Sequence, residues 1–188
     1  DEVYRTLAIS MALVVLVIYL FLGNIRATLI PAITVPVALV GSFMFLLAMG
    51  YSINLLTLLA LVLAIGLVVD DAIVMLENIH RRIELGEPPL LAAYRGAREV
   101  GFAIVATTLV LISVFVPLVF MDGRIGALFT EFAMAVSAAV FFSSITALTL
   151  SPALCSKVLK PSEKESKFSQ KMDLFFGKIE NAYSNSLR

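Results

Sequence analysis

The chain has 188 residues, with 14 Lys+Arg balancing 14 Asp+Glu, and 60% of its residues are hydrophobic against 15% charged. A soluble domain usually carries about a quarter charged residues, so ordinary soluble composition is excluded, and no Lys/Arg-rich tract with interleaved aromatics points to nucleic acid. Cys155 is the single cysteine and His80 the single histidine, which excludes an internal disulfide framework and leaves little material for a metal centre.

The opening DEVYRTLAIS is acidic ahead of its apolar run. It lacks the basic start of a secretory signal and reads as an internal start within a longer chain. Five segments are then apolar enough to cross a hydrocarbon core, which takes roughly 20 helical residues. They are expected at about 6–22, 29–49, 55–76, 102–120 and 128–150. Short polar links around Asn24, Ser52 and Asp122 make the helices they join run antiparallel. Backbone polar groups in lipid must pair within their own segment, so the spans are helical.

Pro31 and Pro36 in the second span and Pro117 in the fourth read as packing features, as do Met44, Met75 and Met134. Between Glu87 and Gly101, Pro88 and Pro89 open a short amphipathic helix with Leu90, Ala93, Tyr94, Ala97 and Arg98. Residues 1–155 thus form a membrane bundle, and 156–188 a polar linker followed by a second amphipathic helix. In that helix Phe168, Met172, Phe175, Phe176, Ile179, Tyr183 and Leu187 recur every three or four residues. The pattern suits the inner-leaflet membrane interface, with a face docked on another soluble domain as the alternative.

Basic residues set the orientation. Arg26, Arg81, Arg82, Arg95, Arg98 and the seven beyond Ser156 put 12 of the 14 Lys and Arg on one side. That side is expected to be cytoplasmic, with the chain starting outside and ending inside.

The third span holds the unusual chemistry. Asp70 and Asp71 follow Leu67, Val68 and Val69 and precede Ile73, Val74, Met75 and Leu76. One carboxylate near the bilayer centre costs about 2.5–3.5 kcal/mol on insertion scales. Two held close in low dielectric resist ionising together, and a nearby ammonium favours their charged forms. A site whose proton affinity depends on geometry is what a proton-coupled machine needs. The other four spans offer no Lys or Arg at mid-depth, so the cation is expected from a helix outside this chain. The residues alone leave two readings: a proton relay, or a buried ion pair that only fixes helix packing. Glu77 and Asn78 are expected in solvated or packing roles, His80 at the surface, and Glu131 at the outer interface. No nucleophile–base pair, phosphate-binding glycine loop or metal cluster argues for an enzyme.

The stretch AIGLVVDDAIVMLEN, Ala64 to Asn78, resembles the fourth-helix signature of resistance-nodulation-division (RND) efflux transporters. FLGNIRATLIPAITVPVAL at 21–39, FVPLVF at 115–120 and LTLSPALCSKVLKP at 148–161 are similar to further family stretches in the same order. The double aspartate resembles the hydrophobe/amphiphile (multidrug) branch more than the heavy-metal branch.

The resemblance implies an all-α polytopic membrane protein. Five transmembrane helices and a C-terminal amphipathic interfacial helix would be part of a twelve-helix transporter fold, here helices two to six. It implies proton/drug antiport across the bacterial inner membrane, driven by the proton gradient without a cofactor, with Asp70 and Asp71 as relay positions. The implied partners are the lipid bilayer, a lysine-bearing helix of the second half, a homotrimer, a periplasmic adaptor protein, an outer-membrane channel and small amphiphilic substrates. The alternatives are a non-transporting membrane scaffold or sensor built on the same bundle, and an RND-type exporter of metal ions or lipids.

Overall fold

A computed structural model describes residues 2–22 and 24–159; the expected amphipathic helix at 168–188 and the linker before it lie outside the described residues. All regular structure among the described residues is helical: α1 (Glu2–Leu22), α2 (Ile25–Ala48), α3 (Leu55–Glu84), α4 (Pro89–Val119) and α5 (Gly123–Val158). In α2, α3, α4 and α5 the length and composition suffice to cross a membrane, whereas the described apolar stretch of α1 is the shorter Ala8–Leu20. The chain is an all-α polytopic membrane protein.

Local chemistry sets the helix ends. Asn24 stands in extended conformation before α2, and its Oδ1 accepts from the Arg26 amide at 2.9 Å. Asn54 does the same for α3 within a reciprocal capping box. Its Oδ1 accepts from the Leu56 and Thr57 amides, each at 2.9 Å, while Thr57 Oγ1 accepts from the Asn54 amide at 2.9 Å. Pro89 at the first position opens α4, where its missing N–H costs nothing. Gly50 (φ 77°) follows α2 and Gly86 (φ 93°) follows α3, and the left-handed backbone that ends each helix favours glycine.

The helices overrun the apolar stretches. α3, α4 and α5 have 30, 31 and 36 residues. At 1.5 Å per residue that is about 45–54 Å, against a hydrocarbon core of about 30 Å. The short amphipathic helix expected between Glu87 and Gly101 is no separate element; it forms the first turns of α4 and runs on into the fourth span. Gly101 does not interrupt it, because one interior glycine costs only about 1 kcal/mol relative to alanine. Ala92, Ala93 and Gly96 on this segment are buried, packed beside Ile79 and Ile83 of the α3 extension.

The core sits between α3 and α5, the pair that also contact α2 and α4 most extensively. Small residues on α5 (Ala135, Ala138, Ala139, Ser143 and Ala147) are buried and let the backbones approach. α2 passes through Pro31 and Pro36 and α5 through Pro152 without ending.

Candidate functional site

α3 places Asp70 and Asp71 on different faces, as a rotation of about 100° per residue requires. Asp71 is half-buried and turns to α5, where Ser143 Oγ lies 3.1 Å from its Oδ2. The same hydroxyl lies 3.0 Å from the Val68 carbonyl oxygen one turn earlier on α3. Val68, Val69 and Ala72 beside the pair are buried, and Ser143 is 1% exposed.

Asp70 points the other way and is exposed. It lies on a stripe of exposed α3 residues: Leu59, Leu63, Gly66, Asp70, Val74 and Glu77. The spacing of three and four residues makes this a single helix face. Apart from Asp70, its residues up to Val74 are apolar or glycine. About 9 Å of helix separates Asp70 from Leu76, where the apolar stretch of α3 ends.

The ion pairs among the described residues gather elsewhere, at the basic end of the bundle. Arg82 reaches Glu99 at 2.7 Å and Glu87 at 3.0 Å, and Arg95 reaches Glu87 at 3.2 Å. Half-exposed His80 stands 3.3 Å from Glu84. Asn78 is buried and joins α3 to α4, donating to the Gly96 carbonyl at 3.3 Å and to Glu99 at 3.2 Å. These groups lie beyond the apolar stretch of α3 and before that of α4. Hydrogen bonds from Arg82, then Asn78, hold the Glu99 carboxyl below the usual glutamate range. Asn78 therefore has a packing role, while Glu77 is exposed.

At the opposite end Glu131 of α5 accepts from Asn54 Nδ2 and lies 3.4 Å from the Ser52 hydroxyl. It ties the α2–α3 link to α5 through the residue that caps α3. Cys155 is buried, and among the described residues no cluster of His, Cys, Asp and Glu could hold a metal ion.

Sequence reasoning missed Ser143. It sits 72 positions from Asp71, so no local spacing connects them. The pair Ser143–Ser144 in an apolar span was the available signal, and it does not say which helix each hydroxyl faces. Ser144 turns to its own helix, at 2.9 Å from the Phe141 carbonyl. So do Thr34, Ser42 and Thr108, each bonded to a carbonyl one turn back. Ser143 reaches across to α3 instead.

The model of the AcrB/AcrD/AcrF family matches residues 1–188, the whole chain. The chain belongs to that family, whose members are transporters of the RND type.

Proposed function

As a member of the AcrB/AcrD/AcrF family, the chain is, we propose, the part of a proton-driven exporter of small amphiphilic compounds that binds the coupling proton, at Asp70 and Asp71. The observation that carries this reading is the placement of Asp70, exposed on an otherwise apolar face beside the half-buried Asp71. Facing lipid, that carboxylate would cost about 2.5–3.5 kcal/mol. A second membrane element bearing a lysine would cover the stripe and offset the cost. It would come from the other half of the transporter, since no span of this chain carries a mid-depth cation.

The chemistry follows from the pair. Ionised, the two carboxylates attract the covering ammonium; protonated, they release it, and the two helices shift relative to each other. The basic end at Arg26, Arg82 and Arg95 is cytoplasmic in this reading. Protons enter from the periplasmic side and leave toward that end. The membrane potential supplies about 2.3 kcal/mol per charge per 100 mV. The working assembly is an inner-membrane homotrimer that hands substrates to a periplasmic adaptor protein and an outer-membrane channel. The chain carries out no covalent chemistry and needs no cofactor.

The test is drug-dependent proton flux in proteoliposomes holding the full-length protein, with and without Asp71→Asn. The expected result is loss of flux in a variant that still folds and binds drug. Undiminished flux would reduce the pair to a packing feature and put the proton path elsewhere in the protein.

A further inference from the structure

Ser143 has one hydrogen to donate and two acceptors on α3 within reach, Asp71 Oδ2 at 3.1 Å and the Val68 carbonyl at 3.0 Å. A hydroxyl can donate one hydrogen bond and accept two. The Val68 carbonyl carries two lone pairs; the helix uses one for the amide four residues on, and the other is free for Ser143. We propose that Ser143 is a positioning residue that reads the proton on Asp71, turning its hydroxyl from the carboxylate to the Val68 carbonyl when Asp71 is protonated. The inference rests on the reading of Asp71 as a proton-binding site.

With the proton on Oδ2, the oxygen that faces Ser143, the hydrogen-bond inventory favours a different arrangement in each state. An ionised Asp71 only accepts, so the Ser143 hydroxyl donates to Oδ2 and the Val68 carbonyl keeps its helical partner alone. A proton arriving on Oδ2 turns that oxygen into a donor toward Ser143 Oγ, which then accepts. The Ser143 hydrogen must leave this line, and the Val68 carbonyl is the acceptor already in place. No bond other than hydrogen bonds changes, and the proton stays on Asp71.

The turn matters because of where Ser143 sits. It is 1% exposed, so its hydroxyl is shielded from bulk water and both acceptors in reach belong to α3. It belongs to α5, which packs against α2, α3 and α4. Protonation therefore moves the tie between α5 and α3 from a side chain to the backbone. The neighbouring spans bring no competing charge to this depth. α1 has none after Arg5, α2 none after Arg26, α4 none after Glu99, and α5 none between Glu131 and Lys157. The other charged group there is Asp70, on the next face of α3.

The experiment is infrared difference spectroscopy on the full-length transporter in liposomes, with proton flux measured on the same preparations. The protonated-carboxyl C=O band of Asp71 is the one that Asp71→Asn abolishes. Ser143→Ala removes one oxygen and adds no volume, and is expected to keep the fold, which the helical amide bands of the same infrared spectra check. It is expected to move that band to higher wavenumber, because the acid loses its acceptor, and to lower drug-driven flux about tenfold, the scale of one hydrogen bond to a charged group. An unmoved band, or undiminished flux, overturns the role of Ser143. These failures are separable from failure of the underlying site: there, Asp71→Asn itself leaves flux intact.

Discussion

At Gly96, α4 packs tightly against Ile79 of α3, and adding one carbon there tests the packing of the basic end. A Cβ on Gly96 would stand 2.8 Å from Ile79 Cγ1 and 3.5 Å from the Ile79 Cα. Ordinary carbon–carbon contact is about 3.5–4.0 Å. Ile79 is 0% exposed and cannot swing away, and a β-branched side chain on a helix keeps essentially one χ1 rotamer. α4 must therefore back off. The Asn78 bond to the Gly96 carbonyl is already 3.3 Å long and has little slack. Overpacking of this kind costs about 1–3 kcal/mol, and loss of the hydrogen bond adds about 0.5–1.5 kcal/mol. Better helix propensity returns about 1 kcal/mol. Gly96→Ala is thus expected to destabilise by about 0.5–3.5 kcal/mol on these same terms. Reversible unfolding in mixed micelles measures it, with Gly101→Ala as the control, since a Cβ there meets Leu148 at an ordinary 3.5 Å. Ile79→Ala removes the clashing atom, so the double variant should be non-additive. A Gly96→Ala protein no less stable than Gly101→Ala would refute the close α3–α4 contact.

Other consequences are as direct. Gly66 lies on the exposed stripe with nothing within 4 Å of a Cβ; if another membrane element covers that face, Gly66→Leu in the full-length protein lowers stability and flux, whereas unchanged behaviour says the face meets lipid. Asn54→Ala removes the α3 cap and the partner of Glu131, and should lower stability by about 1–2 kcal/mol in the same unfolding assay; a change of a few tenths would show that the cap is dispensable. Arg82→Gln should raise the titration midpoint of Glu99, read by carbon NMR of labelled glutamate, since the Arg82 bond is what chiefly lowers it. A lowered folded value means the pair helps the fold above the ordinary glutamate value of 4.5 and ceases to help as pH falls through the folded one. An unmoved Glu99 midpoint would show that the contact is absent in solution.

Hydropathy marks where lipid is, and helices end for other reasons. The apolar stretch of the third span stops at Leu76, yet α3 continues to Glu84 because the first residue that asks for a left-handed backbone is Gly86. The fourth apolar stretch begins at Phe102, yet α4 starts at Pro89, where a proline pair permits a helix to begin and nothing afterwards stops it. Both signals were in the sequence, but the apolar boundaries outweighed them. Amphipathic spacing at 89–101 showed that one face is buried without naming the surface that buries it, which proved to be the extension of α3.

The carboxylate pair was legible because a charge inside an apolar run is a local anomaly, visible in one window of sequence. Its immediate partner was not, since a serine in a membrane span is ordinary and usually bonds to its own helix, as Ser42 and Ser144 do. What distinguishes Ser143 is the alignment of α5 against α3, and that follows from the small residues Ala135, Ala139 and Ala147 that let the two helices close. Neighbouring positions on one helix thus divide the work by geometry alone. Asp71 turns inward to a hydroxyl of its own bundle, and Asp70 turns outward to a face this bundle leaves open. A proton taken up by either carboxylate would be sensed on a different side of α3, so the two substitutions should differ in kind. Neutralising Asp71 alters the tie to α5, while neutralising Asp70 alters only what the open face can hold.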